Sequence, residues 1–161
     1  MEIRKASISE LAIISQMYSE ARNFMKESGN ASQWKDGYPP DKLIMSDIQK
    51  GALYLCMDGE SAVGVFYFAV ENDVDYERIY DGEWLNSERY AVIHRVAVTA
   101  KGKGVAAFCF SYCFEHFPNL KIDTHADNTP MQRSLEKNGF IRCGRVVLHN
   151  GEERIAYQKA L

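Results

Sequence analysis

The 161-residue chain has no apolar run long enough to cross a bilayer, and its amino terminus, MEIRKASISELAI, has an acid at the second position and no apolar leader core. These absences argue against membrane insertion and secretion, so a cytoplasmic location is expected. Basic charge is also short: 19 Lys and Arg stand against 22 Asp and Glu, a net charge of −3. A nucleic-acid binder needs a basic face to neutralise phosphates, and that excess is missing. Nothing in the balance suggests attachment to a membrane surface. The four cysteines, Cys56, Cys109, Cys113 and Cys143, contain no C-x-x-C pair and sit inside apolar segments, where a thiol behaves as a small hydrophobe. Cys109 and Cys113 lie one helical turn apart with His116 beyond, but no further ligands accompany them, so no metal is expected. Repeats and low-complexity stretches are absent. With 46% apolar and 25% charged residues, the length fits one globular domain, 1–161, with a core of its own.

Punctuation divides the chain clearly. A short strand over 2–6 precedes Ser7 and Glu10, spaced as a capping box, and then an amphipathic helix carries Leu11, Ile14, Met17, Tyr18, Ala21, Phe24 and Met25 to Gly29. A polar loop, 30–40, holds Trp34 and Tyr38. Leu43, Met45 and Ile48 predict a second helix stopped by Gly51. Apolar runs at 52–57 and 62–70 meet around Asp58-Gly59 as a hairpin, and a polar excursion with Trp84 leads to a strand over 90–98. Val105, Phe108, Cys109 and Tyr112 form the expected buried face of the next helix, closed by Pro118. A strand over 120–124, a helix from Asn128, and a hairpin of 140–147 with 153–161 around Asn150-Gly151 complete the order.

The richest stretch is IHRVAVTAKGKGVA, Ile93 to Ala106, where an apolar strand runs into two close glycines that open a helix. Without side chains, glycines let peptide N–H groups approach a phosphate, and the helix start adds unpaired N–H groups and the positive end of its dipole. The chemistry this predicts is binding of a pyrophosphate-bearing cofactor. A plain strand-to-helix turn remains a second reading. So does a dinucleotide fingerprint, because Gly102, Gly104 and Ala107 satisfy G-x-G-x-x-A and Asp123 lies where a ribose-binding acid would stand. Too few strands follow to complete that fold.

KGKGVA, Lys101 to Ala106, resembles the acyl-CoA signature of the GNAT N-acetyltransferase superfamily, with Lys101 where Gln or Arg is usual and Gly104 and Ala106 in the last two positions. NTPMQRSLEKNGF, Asn128 to Phe140, resembles the family's second motif: an Asn, a short helix, Glu-Lys and Gly-Phe. The resemblance covers nearly the whole chain. It implies an α/β fold, a mixed and mostly antiparallel twisted sheet of about seven strands, splayed at a cofactor slot, with helices on both faces. It also implies acetyl-CoA as cosubstrate, with backbone groups of Val96, Ala97 and Val98 along the pantetheine arm. Lys101, Gly102, Lys103, Gly104, Val105 and Ala106 would then hold the pyrophosphate, and Asn128 would reach the pantetheine side.

The implied acceptor is an amine, on a small molecule or a peptide, and an amine must lose a proton to attack. Histidine suits that task. His94 is the first candidate, on the side of Val96 and Val98 by strand alternation, and a similar histidine occurs in some arylalkylamine acetyltransferases. His125, in THADN, is the second; each also reads as an ordinary hydrogen-bonded residue. Arg95 should face away and pair with an acid on a neighbouring strand. Trp34, Tyr38 and Trp84 are candidate walls of the acceptor site. Leu135 stands where the family often has a tyrosine acid, which motivates an alternative, a degenerate CoA-binding sensor without turnover. A homodimer through the terminal hairpin is left open.

Overall fold

In a computed structural model describing residues 1–161, the opening strand, the two hairpins and the two strands between them join into one sheet. Its strands are β1 (Glu2–Lys5), β2 (Leu53–Asp58), β3 (Ser61–Val70), β4 (Ala91–Val98), β5 (Asn119–Thr124), β6 (Ile141–Val147) and β7 (Glu153–Ala160). They lie in the order β1-β2-β3-β4-β5-β7-β6, antiparallel except for the β4/β5 pair. The helices are α1 (Leu11–Glu27), α2 (Asp41–Gln49), α3 (Val105–His116) and α4 (Thr129–Lys137). None is long and apolar enough to cross a membrane.

Strand alternation sends side chains to two separate cores. Ile14, Met17 and Tyr18 of α1 and Ile44 and Ile48 of α2 pack with Leu53, Leu55, Val65, Tyr67 and Val92 on one face. On the other, Val105, Cys109, Phe110 and Cys113 of α3 and Leu135 of α4 meet Phe66, Ile93, Leu120, Ile122 and Tyr157. The face of α3 differs from expectation: Phe110 and Cys113 are buried, whereas Phe108 is 36% exposed. VAAFCFSYCF is apolar almost all round, so periodicity has little to select on and the sheet decides the rotation. Burial pushes the thiols of Cys109 and Cys113 far up, and all four cysteines are free and buried.

The glycine loop follows β4, deep in a mostly antiparallel sheet, so the dinucleotide reading falls: that fingerprint belongs after the first strand of a parallel βαβ unit. Between β3 and β4 the chain forms a strap, 71–90, containing a 3-10 turn at Val74–Tyr76. Tyr76 is buried, and the carbonyl of Arg145 in β6 accepts the Tyr80 N–H at 2.8 Å.

Candidate active site

β4 and β5 pair only at Ala91↔Leu120 and Val92↔Lys121, and beyond that they part. The gap continues into a slot of about 420 Å³ between β4, the glycine loop and α4. Val96, Ala97, Val98, Lys101, Gly102, Gly104, Val105, Ala106 and Asn128 all line it. Lys103 does not; it is exposed on the loop. Gly104 caps α3 in the left-handed region at φ 71, and Gly102 adopts φ 74, conformations that exclude most other residues. The first-turn N–H groups of α3 have no intrahelical acceptor and face this end of the slot. Lys101 Nζ lies 4.1 Å from the ring centroid of Phe24, which draws α1 over the loop.

A second cleft, about 790 Å³, opens on the other side of β4. The two hollows share Met25, Val96, Asn128 and Met131, so they meet where the strands separate. A bulge in β4 governs what faces this cleft. Tyr67 pairs with His94 and Val65 with Ala97, so Phe66 opposes two residues, Arg95 and Val96. Arg95 takes up the extra length at φ 51, and the Tyr18 hydroxyl donates to its carbonyl at 2.8 Å.

This bulge corrects two expectations. His94 does not share a face with Val96 and Val98; its ring sits 5.9 Å from those of Tyr67 and Tyr76, while Val96 and Val98 pack on the opposite core. Arg95 does not face away from His94, and its partner is not on a strand. It grips Asp47 of α2 with two bonds, 2.8 and 3.0 Å, lies 4.6 Å over Tyr67, and reaches the Tyr38 hydroxyl at 3.4 Å. Burial raises the pKa of Asp47 against the pull of the guanidinium.

His94 Nε2 lies 2.9 Å from the Asp73 carboxylate. Burial pushes the Asp73 carboxyl up, but its bond to His94, the imidazole charge and the Asp75 N–H together hold it below its usual value. Beside this pair, the Tyr76 hydroxyl donates to Asp123 at 2.6 Å, and burial raises the pKa of Asp123. Trp34 and Tyr38 line the cleft. Trp84 does not: it packs behind Tyr76, ring centroids 5.4 Å apart, and its indole donates to the Tyr76 carbonyl at 2.9 Å. His125 also lies outside, its Nδ1 accepting the Asp127 N–H at 2.9 Å as a turn residue. Leu135 is fully buried against the second core and presents nothing to either hollow.

Asn128 works locally. Its Oδ1 caps α4 by accepting the Met131 N–H at 3.1 Å, and its Nδ2 donates to Gln33 at 3.0 Å. Gln33, which composition alone does not single out, thereby ties the 30–40 loop to the start of α4.

No protein-family model matches this chain, nor does any curated protein. Among solved structures, a GNAT-family acetyltransferase from Streptococcus agalactiae 2603 superposes with a TM-score of 0.92 at 32% identity, over 99% of this chain and 95% of that one. The chain belongs to the GNAT family of acetyltransferases. YncA from Salmonella typhimurium, whose structure holds its cofactor acetyl-CoA, shares the fold at a TM-score of 0.67 and 16% identity, covering 99% of this chain and 93% of YncA. So does AAC(6')-Ib in complex with ribostamycin and coenzyme A, at 0.65 and 18%, covering 98% and 92%.

In this GNAT chain the second cleft is acidic. Asp36, Asp47, Glu71, Asp73, Asp75, Asp123 and Glu152 face only Lys35, Lys50, Arg95 and Arg154, an excess of three carboxylates that equals the net charge of the whole chain, −3. Three of the four cations are committed to carboxylates inside the cleft: Arg95 to Asp47, Lys35 to Glu152 at 3.2 Å, and Arg154 to Glu152 at 3.4 Å and Asp123 at 4.0 Å. Asp73 and Asp75, whose ion-pair partners are the histidines His94 and His149, carry the cleft's excess acidity beside His94.

Proposed function

We propose that residues 1–161 act as one domain transferring an acetyl group from acetyl-CoA to an amine that carries further positive charge. The observation that carries this reading is the meeting of the two hollows at Val96, Asn128 and Met131, which brings a phosphate-binding loop and an acidic, histidine-bearing cleft to one point. The slot suits a long, diphosphate-bearing ligand: apolar along β4 and α4, and at its end two left-handed glycines that leave peptide N–H groups uncovered. When bound there, acetyl-CoA supplies an activated thioester carbonyl, on which an amine forms the new C–N bond as the C–S bond breaks.

Each residue then has a definite task. Backbone groups of Val96 to Val98 hold the pantetheine as an added strand would. Gly102 to Ala106 grip the pyrophosphate, Lys101 adds charge, and Lys103 screens from outside. An N–H at the bulge stabilises negative charge developing on the carbonyl oxygen. His94 takes the proton of the incoming ammonium at Nδ1, since Nε2 faces Asp73. Asp73 orients the ring and stabilises the imidazolium, while Asp75 and Asp123 draw a cationic acceptor toward it. Trp34 and Tyr38 provide ring faces for its stem. AAC(6')-Ib, with its aminoglycoside, is a protein of this fold that holds such an acceptor.

Buried Leu135 offers no acid to the departing thiolate, and it favours one second reading, a CoA-binding protein without turnover. Free thiol release from acetyl-CoA across a panel of amines separates the two. Turnover with cationic amines supports transfer, and its absence with every amine while CoA binds supports the sensor. His94→Ala should lower kcat about 10²-fold or more near neutral pH, with partial recovery at high pH where free amine abounds. A rate ratio that stays flat with pH tells against a base.

A further inference from the structure

Lys121 is unusual among the lysines of this chain. It lies in β5, two residues before Asp123, and is 5% exposed. Its partners are two ring faces rather than a carboxylate: Nζ lies 4.1 Å from the ring centroid of Trp84 and 3.9 Å from that of Tyr90. Burial pushes its pKa down to about 8, so at neutral pH the ammonium still predominates and both rings meet a cation.

The two rings have second tasks. The Trp84 indole donates to the Tyr76 carbonyl at 2.9 Å, and the Tyr90 hydroxyl accepts the Asp73 N–H at 2.9 Å. Tyr76 in turn donates to Asp123 at 2.6 Å, and the Asp73 carboxylate lies 2.9 Å from His94 Nε2. Two lines of contact therefore leave one ammonium and end on two groups facing the acceptor cleft. We infer that Lys121 is a positioning residue: by clamping Trp84 and Tyr90 it fixes Tyr76 and Asp73, and through them the stance of Asp123 and His94 toward the acceptor. This rests on the acetyl-transfer reading of the cleft. A hydrophobe of similar length fills the space but loses the attraction to both ring faces at once, whereas arginine retains it.

The outer strap has its own anchors, which let the fold survive loss of the clamp. The Leu85 N–H donates to Gln158 at 2.8 Å, Tyr80 bridges Arg145, and Gly82 packs so closely on the Cys143 carbonyl that a Cβ has no room.

The test compares Lys121→Met, Lys121→Arg and Tyr90→Phe with the unaltered chain. Tyr90→Phe removes only the hydroxyl and leaves the ring over Lys121, so it isolates the Asp73 branch; Lys121→Gln, which removes the charge but keeps a polar side chain, carries the test with the same expected changes if Lys121→Met does not fold. In Lys121→Met, hydrogen exchange at the Asp73 amide and the Trp84 indole should quicken about tenfold or more, and the His94 Nε2–H resonance should broaden or vanish. The affinity for CoA should stay within about twofold, while kcat/KM for the amine falls about tenfold through kcat. Tyr90→Phe should reproduce the changes at Asp73 and His94 but not at Trp84. Lys121→Arg should restore most of each value. Unchanged exchange, an unchanged His94 signal, or failure of arginine to rescue overturns the inference. So does faster exchange with an undiminished kcat/KM. An unaltered chain that turns over no amine sinks the acetyl-transfer reading instead, and exchange with the His94 signal still decides the clamp.

Discussion

Asp47→Ala is expected to be among the most damaging single changes on the cleft wall. The carboxylate is 1% exposed and accepts two bonds, 2.8 and 3.0 Å, from an Arg95 side chain that is itself 13% exposed. Truncation leaves the guanidinium with the Tyr67 face and a 3.4 Å contact to the Tyr38 hydroxyl, neither of which neutralises it. Breaking a buried pair from one side costs about 3–5 kcal/mol, because a charge is left desolvated and unpaired. For a chain of this length that corresponds to a fall in Tm of roughly 6–20 °C. Replacing both partners by apolar groups of similar volume, Asp47→Leu with Arg95→Met, removes the orphaned charge along with the attraction. The double variant should therefore lie at least ~2 kcal/mol above Asp47→Ala in urea titrations. A loss below ~1 kcal/mol for Asp47→Ala refutes the reasoning, and so does a double variant as unstable as the sum of its singles.

Gly104→Val should cost ~1–2 kcal/mol through backbone strain alone, since φ is +71 and no atom lies within 4 Å of an added Cβ. It should also weaken CoA binding by calorimetry, and unchanged affinity would contradict the loop assignment. Asp73 has a folded pKa below its unfolded one, so its stabilisation is present above about pH 4 and lost as pH falls through the folded value. Asp73→Asn should flatten stability against pH in that acid window, and an unaltered slope in denaturant titrations over pH 2–5 tells against it. A dicationic amine should have a lower KM than a monoamine of equal length, with the gap closing as salt rises; equal KM values at low salt remove the electrostatic argument.

What the sequence reveals follows the range of the interaction. Caps, glycine stops and hairpin turns act over a few residues, so Ser7 with Glu10, Asn128 at the head of α4, and the turns after Asp58 and Asn150 are legible directly. The left-handed glycine turn between β4 and α3 is legible for the same reason. The second cleft is built across distance, and less of it shows. Asp73 and Tyr76 sit in a polar strap whose placement depends on tertiary partners such as Lys121 and Gln158. Asp47 does leave a trace: with Ile44 and Ile48 it occupies the buried stripe of α2, a position where an acid demands a cation. The cation is in plain view as Arg95, but alternation points it to the other face.

That error marks the feature on which the architecture turns. In a regular strand, His94, Val96 and Val98 share a side, and the imidazole would be walled in with the residues lining the slot beside the glycine loop. One extra residue at Arg95 reverses the alternation, so β4 turns His94 toward Tyr67 and Tyr76 and sends Val96 and Val98 to the opposite core, with Val96 where the two hollows meet. Two adjacent polar residues inside an apolar run, His94-Arg95, are the trace such a bulge leaves, because a regular strand would send one of them into a core. The left-handed φ of 51 at Arg95 carries a cost for a residue with a Cβ, and the two bonds to Asp47 together with the Tyr18 hydroxyl on its carbonyl offset it. Stability and site geometry are therefore coupled at one residue. Deleting Arg95 removes the extra residue without changing which way its neighbours point: His94 stays opposite Tyr67 and Val96 falls opposite Phe66, so His94 should keep its place in the second cleft while Asp47 loses its cation and stability falls.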